Sequence, residues 1–413
     1  VINVSYEKLS KVFYKRGEEY YNKEIDKRKN SYGSYLTPLT IRGFRKGQIL
    51  DESFQLFYVN IHKLMSLNNQ VLINSSKISS LISKLPKFVI EPYFHKLIVN
   101  EAQSNNEIEG IRSTKKELKE VLDDLARSDK KRKRFKGLMK TYLFIDKIKP
   151  FTEISDFRRL YDDLVSDEID KDDEPDGELF RKGYVEVNDG TKTTHIGVSS
   201  EVKIIESLNA LINYLDDEQH SELYRYMVAH YNYEYIHPFY DGNGRTGRLL
   251  VCSYLSRYLE RYSAITFSYT VNRNKSKYYK ALEEIPSPLN KGDMTFYLVD
   301  MLELLSAGQE GIIEDLEVNL SKTKRIEQSF KSEPWHERKE EAELLRIMTY
   351  LSVFIDDEVN FPVLKLMEIS KKSRYKINQI MSHLENERYV KVVKQRPKEY
   401  KVTDDFLENI LMI

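Results

Sequence analysis

The stretch from Ile236 to Leu250 reads IHPFYDGNGRTGRLL, and its residue types suit work on a phosphate. Pro238 and two glycines force a structured loop between flanking helical patterns. Gly242, Asn243 and Gly244 lead into Arg245, where a new helix begins. Backbone N–H groups at a helix start attract anions, and glycines let a phosphate come close. Arg245 and Arg248 are three residues apart and share one helix face above that anion site. Their planar, permanently charged forks match phosphate oxygens. Asp241 stands at the mouth of the same nest, where a carboxylate serves best as a Mg²⁺ ligand. His237 precedes the loop and is a candidate general base near neutral pH. A base, a metal ligand, a phosphate cradle and two cations lie within 12 residues. Together they point to nucleophilic attack on a nucleotide phosphate.

The same segment contains a G-x-G-x-x-G match, Gly242-Asn243-Gly244-Arg245-Thr246-Gly247. A dinucleotide fingerprint needs a strand immediately before it. Here a helical AHYNYEYI and a proline precede it, which excludes that reading. His230, seven residues before His237, suits a core or supporting role better than catalysis.

The elements that would position this loop are mostly helices. Apolar spacing predicts helices over 51–84 (Phe54, Phe57, Tyr58, Ile61, Leu64), 88–109, 154–166, 200–215 and 220–236. Gly110 closes the second of these, and Thr114 with Glu117 forms a capping box for the next. SYGSYLTPLTIRGF within residues 1–50 reads as a loop, and the acidic IDKDDEPDGE at 169–178 as a surface loop. One hairpin interrupts the helices: GYVEV and TTHIGV flank an Asn188-Asp189-Gly190 turn. The basic run KKRKRFK at 130–136 reads as a solvated helix start rather than a nucleic-acid patch. From 341 the order is helix, helix, helix and two strands with a basic tip, a winged helix-turn-helix pattern.

Composition narrows the class. The 413 residues carry 65 Lys plus Arg against 65 Asp plus Glu, so a globally basic nucleic-acid binder is excluded, though a local patch is not. With 16 Gly and 11 Pro, long disordered linkers and Gly/Pro-punctuated β folds are not expected. Cys252 is the sole cysteine, so no intrachain disulfide or Cys-rich zinc site forms, which fits a reducing, cytoplasmic setting. No secretory h-region and no long apolar window are seen, so neither secretion nor membrane insertion is expected.

The 237–248 segment resembles the Fic (filamentation-induced-by-cAMP) family motif HPFx[D/E]GNGRxxR at every fixed position. The resemblance extends over roughly residues 90–305. It implies a mainly α fold: a helical Fic core with a β-hairpin flap, here joined to a C-terminal winged helix-turn-helix. It further implies protein adenylylation, the transfer of AMP from ATP to a protein hydroxyl with release of pyrophosphate. His237 would deprotonate the hydroxyl, and Asp241 would hold Mg²⁺ between the α- and β-phosphates. Gly242, Asn243 and Gly244 would cradle the phosphates, with Arg245 and Arg248 neutralising their charge. Tyr278 and Tyr279 match a stretch that flanks adenine in relatives, and core packing is an equal alternative for them. Family members that phosphorylate carry Lys at the position of Gly244, and phosphocholine-transferring relatives carry Ala at that of Gly242. Both positions here favour nucleotidyl transfer.

Two regulatory expectations follow from the same resemblance. The 184–198 hairpin would dock an unknown target protein by strand addition. SNNEIEGI at 104–111 resembles the family's inhibitory motif [S/T]xxxE[G/N]. Glu109 and Gly110 match, whereas Asn105 stands at the Ser/Thr position. Glu109 would pair with Arg248 and block productive seating of the γ-phosphate.

The expected organisation is an N-terminal helical region over 1–87, a Fic domain with inhibitory helix over 88–305, a helical linker over 306–340 and a winged helix over 341–413. Basic residues concentrate in the last of these, so DNA and a protein contact, including a homodimer, are both open as its partner. Two alternatives to AMP addition remain at this stage. One is a DNA-binding regulator that senses nucleotide without turnover, and the other is a hydrolase that removes AMP using Glu109.

Overall fold

The computed structural model describes residues 6–126, 134–165, 168–188, 190–332, 334–355 and 359–412. Asp189 of the hairpin turn and residues 130–133 of the basic run lie outside the described residues. The chain divides into two compact units, one of residues 1–76 and 97–310, the other of residues 77–96 and 311–413.

The first unit opens with α1 (Leu9–Arg16) and α2 (Glu18–Lys29), followed by a long antiparallel hairpin, β1 (Ser34–Arg45) with β2 (Gln48–Val59). This corrects two expectations. Residues 34–45 are strand, not loop, and the helical reading of the segment from 51 holds only beyond His62. Along β1, Thr37, Leu39 and Ile41 point inward while Pro38, Thr40 and Arg42 point out, the period-two alternation of a strand with one buried face. On β2, Phe54, Leu56, Phe57 and Tyr58 are buried, and Phe54, Phe57 and Tyr58 mimic an i, i+3, i+4 helical stripe. The N-terminal region, expected as helical with a loop, therefore carries a hairpin.

The helices that follow are α3 (His62–Ile82), α4 (Lys87–Ile108), α5 (Lys115–Ala126), α6 (Lys136–Leu143) and α7 (Ile154–Val165). The Thr114 hydroxyl accepts from Glu117 N at 3.1 Å, the capping contact that starts α5. A small hairpin, β3 (Glu186–Asn188) with β4 (Thr193–Ile196), pairs Val187 with His195. Then come α8 (Glu201–Leu215), α9 (Glu222–Ile236) and α10 (Asn243–Tyr258). Every residue of α10 from Asn243 to Ser256 is buried, and α9 is buried from Leu223 to Tyr233. Helices enclosed on all sides form the centre of a domain, and their junction is held as firmly as the core. Next are α11 (Arg261–Ala264), α12 (Phe267–Arg273), α13 (Lys275–Glu284) and α14 (Thr295–Ser329). Residues 306–329, expected as linker or charged helix, are part of α14.

The second unit continues with α15 (Lys339–Phe354), β5 (Phe361–Pro362), α16 (Val363–Ser370), α17 (Arg374–Asn386), β6 (Val390–Gln395), β7 (Lys398–Val402) and α18 (Asp404–Met412). Its three strands form one antiparallel sheet in the order β5-β7-β6. Ser373 caps α17, its hydroxyl accepting from Lys376 N at 3.3 Å. Trp335 packs against Phe330, Tyr389 and Phe406 with ring centroids 5.4, 5.0 and 6.3 Å away.

The basic surplus of this unit is largely answered locally. Lys372 and Lys376 pair with Glu340, Lys391 and Lys401 with Asp404, Lys394 with Glu399 and Lys398 with Glu385. Among the described residues, Lys371, Arg374, Arg388 and Arg396 have no carboxylate partner.

Candidate active site

The site forms where α9 ends, the 237–242 loop turns and α10 begins. His237 terminates α9 in a left-handed conformation, φ 52° and ψ 62°, with its N–H on Tyr233 O at 3.0 Å. Its Nδ1 lies 3.3 Å from the Glu234 carbonyl. A carbonyl only accepts, so Nδ1 carries the proton and Nε2 presents a lone pair. Burial pushes the imidazole pKa down to about 3, assisted by the neighbouring His195 ring and the Arg181 cation. The ring is therefore neutral at physiological pH, as a base must be.

The loop is fixed from within. Phe239 is fully buried and stacks on Tyr161, centroids 3.6 Å apart. The Asn243 amide closes the turn, accepting from Phe239 N at 2.9 Å and donating to Phe239 O at 2.7 Å. Both ends of the Asn243 side chain are engaged by the loop itself, so Asn243 shapes the cradle from within. Gly242 sits at φ +79°, a left-handed turn that opens α10.

The two arginines of the motif separate. Arg245 is buried and meets Glu168 at 2.9 Å, with Asp241 at 3.8 Å. Its Nε has no partner in the structure. Arg248, equally buried, points to α4 instead: its Nε donates to Asn105 Oδ1 at 2.7 Å, and its Nη2 to Asn105 O at 3.2 Å and to Glu109 Oε1 at 2.7 Å. Burial works against the Arg248 charge, and the Glu109 carboxylate leads the groups that more than offset it and raise its pKa. Spacing of i, i+3 placed both arginines over one site, whereas each is already matched to its own carboxylate.

Asn105 on α4 and Glu109 just past its end supply the partners of Arg248, and with Glu101 they are spaced i, i+4, i+8. Glu101 is fully buried and accepts from Ser268 N and Tyr269 N, each at 2.8 Å, at the start of α12. Burial raises its pKa. Glu109 follows the last residue of α4, and Gly110 turns the chain at φ +73°. Glu109 also overlies Gly244: a Cβ built there would come 2.3 Å from Glu109 Oε1. The carboxylate therefore lies directly on the glycine that opens the cradle.

Asn105, the departure from the motif's Ser/Thr, uses both its side chain and its backbone on Arg248, and its Nδ2 reaches the Tyr142 hydroxyl at 3.0 Å. Asn105→Ala leaves a buried guanidinium N–H unmatched. It is expected to lower stability by about 1–3 kcal/mol, measured by urea unfolding.

Tyr278 is buried, its hydroxyl 2.8 Å from His230 Nε2 and its ring stacked on that imidazole. It belongs to the core, whereas Tyr279 is 39% exposed and reaches Ile108 O at 3.5 Å. Glu234 acts electrostatically on both, and burial pushes its own pKa up to about 8, with Arg248 opposing and Glu109 adding. The sequence did not single out Glu101, Glu234 or Arg181. Each is a lone charged residue without a motif, and only burial distinguishes it.

For a divalent cation, Asp241 is the exposed carboxylate at the mouth of the cradle, its side chain 51% accessible. No group of three or more His, Cys, Asp or Glu converges on a metal position among the described residues. One carboxylate with substrate phosphates as the other ligands is the usual way Mg²⁺ is held. The residues therefore fit a cation that arrives with a nucleotide.

Residues 150–255 match the Fic/DOC family model. The chain thus carries a Fic/DOC domain that includes the whole 237–248 segment. Among solved structures, a Fic family protein from Desulfovibrio desulfuricans G20 aligns at a TM-score of 0.50 with 16% identity, covering 84% of this chain and 98% of that one. A Fic domain containing signalling protein from Bacteroides thetaiotaomicron VPI-5482 aligns at 0.44 with 19% identity, covering 62% and 95%. Fic-1 from C. elegans aligns at 0.41 with 19% identity, covering 62% and 72%. The first of these supports the mainly helical Fic fold. No helix among the described residues is long and apolar enough to cross a membrane.

Proposed function

We propose that this protein transfers AMP from ATP to a hydroxyl side chain of a protein, and that Glu109 restrains the reaction. The observation that carries this reading is the 2.7 Å pair between Glu109 and Arg248, laid over Gly244 in a complete HPFYDGNGRTGR segment. A cation otherwise suited to a triphosphate is held by a carboxylate of the same chain.

In this mechanism the target hydroxyl oxygen attacks the α-phosphorus. The bond from that phosphorus to the bridging oxygen of pyrophosphate breaks, and the hydroxyl proton passes to His237 Nε2. Neutral His237 with Nδ1–H anchored on Glu234 O is set for that transfer. Asp241 would hold Mg²⁺, which offsets phosphate charge when bound. The backbone N–H groups at the start of α10 and the freed Arg248 would stabilise the charge that develops on the leaving group. A target strand would lie along the β3–β4 hairpin, registered by backbone hydrogen bonds. Catalysis of this type rests on positioning and electrostatics more than on covalent help.

The test is mass spectrometry of the chain and of lysate proteins after incubation with ATP and Mg²⁺. An added AMP on Ser, Thr or Tyr supports the reading. An added phosphate contradicts it.

A further inference from the structure

Arg181 lies just before the hairpin, three residues beyond the acidic 169–178 stretch, and no motif marks it in the sequence. Its side chain is fully buried, yet among the described residues no carboxylate reaches it at ion-pair distance. A buried cation without a counter-ion is costly unless carbonyl dipoles surround it. Four do. Arg181 donates from Nε to His237 O at 2.8 Å, from Nη1 to Gly183 O at 2.5 Å, and from Nη2 to Val198 O at 2.7 Å and Ile236 O at 3.4 Å. Its backbone N–H adds a bond to Pro238 O at 3.2 Å.

These acceptors belong to two separate pieces. Gly183 and Val198 are the two roots of the hairpin, while Ile236, His237 and Pro238 carry the candidate base. Gly197 shows how tightly they meet: a Cβ there would lie 2.4 Å from Arg181 Nη2 and 3.1 Å from His237 Cβ. The outer side is tied as well. The Tyr240 hydroxyl accepts from Gly183 N at 2.8 Å and donates to Asp176 Oδ1 at 3.0 Å, and Asp176 also accepts from Lys182 N at 2.7 Å.

We propose that Arg181 is a positioning residue that holds the hairpin and the His237 backbone in one frame, so that a strand added to the hairpin delivers its hydroxyl to the imidazole. The inference deepens the adenylyl-transfer reading and rests on it. Arg181 touches neither nucleotide nor target and acts through His237 and the two hairpin roots.

The experiment uses full-length Glu109→Gly protein as parent, with Arg181→Met, Arg181→Lys and Gly197→Ala made in it. Four readings are taken: AMP self-labelling rate, ATP affinity by calorimetry, amide exchange over 184–198, and the His237 ring titration by NMR. The titratable groups facing His237 are Arg181, a cation, and His195, whose own pKa burial lowers to about 4, so loss of the Arg181 cation moves the titration upward. Arg181→Met is expected to cut labelling about 100-fold, the scale of a misplaced reacting group. ATP affinity stays near the parent value, and hairpin exchange quickens. Arg181→Lys keeps the charge but lacks the fork, so labelling falls while the titration stays. Should Arg181→Met fail to fold, the Lys and Gly197→Ala variants carry the test through labelling and exchange. Labelling within about twofold of the parent, with hairpin exchange unmoved, overturns the proposal. Absence of labelling in the parent counts against adenylyl transfer instead, and then the exchange and titration readings alone decide the role of Arg181.

Discussion

His237→Ala, placed in the Glu109→Gly protein, is expected to lower AMP transfer by about 10²- to 10⁴-fold, the usual contribution of a general base. ATP affinity should stay within about twofold of the parent, because in the proposed reaction the imidazole serves the incoming hydroxyl while the start of α10 holds the nucleotide. The loop should survive the change. Its shape depends on Asn243 against Phe239, on Phe239 against Tyr161, and on Arg181 against the carbonyl of residue 237, which alanine retains. Activity and thermal shift with ATP, measured side by side, separate the base from the scaffold. The protonation state gives a second reading. A ring whose pKa lies at about 3 is unprotonated across the neutral range, so its protonation should impose no fall in rate as pH drops through about 6.5, where a free histidine titrates. A fall centred there would mean that His237 is not held as described.

Glu109→Gly is expected to raise transfer about ten- to hundredfold. A charge-assisted hydrogen bond is worth about 1.5–3 kcal/mol, and about 1.4 kcal/mol is a factor of ten. With the carboxylate gone, Arg248 retains only Asn105 and is left a buried cation in search of an anion. Two consequences should appear together. The variant alone should be less stable than the parent, and ATP should stabilise it more. A faster enzyme without the larger ATP shift would mean that Glu109 acts on something other than Arg248.

The chemical centre was legible in the sequence because its residues are contiguous. Backbone turn, helix start, base and cations all fall within one short loop, and their order alone places them together. Glu109 was legible for a different reason, through its match to a second motif 128 residues upstream of His237. What escaped is what depends on distant partners. Arg181 is one charged residue in a charged loop, and only the folded chain reveals the carbonyls around it. The bonds of Asn243 to Phe239 that close the turn were likewise not legible, because an amide suits either a backbone or a phosphate. Tyr278 could not be told from an exposed aromatic until His230 was found against its hydroxyl.

The fold shows the same division. The central helices declared themselves through spacing and caps, including Thr114 at the start of α5. The β1–β2 hairpin was missed because Pro38 suggested a loop, while Phe54, Phe57 and Tyr58 imitated a helical stripe. Alternation at Thr37, Leu39 and Ile41 was the available signal. In the second unit the sequence shows the excess of cations over 370–401, while the pairing of several of them with Glu340, Asp404, Glu399 and Glu385 appears only in the folded chain.

The central claim is that the α-phosphate group of ATP moves and that Glu109 restrains it. The most direct measurement compares label from α-³²P-ATP and γ-³²P-ATP, with Mg²⁺, on the wild-type chain, Glu109→Gly and Glu109→Gly/His237→Ala, each alone and in cell lysate. The account predicts protein-bound label from the α position only, weak in the wild type, strong in Glu109→Gly and lost in the double variant. Label from the γ position, or α label that is equally strong in all three proteins, would contradict it.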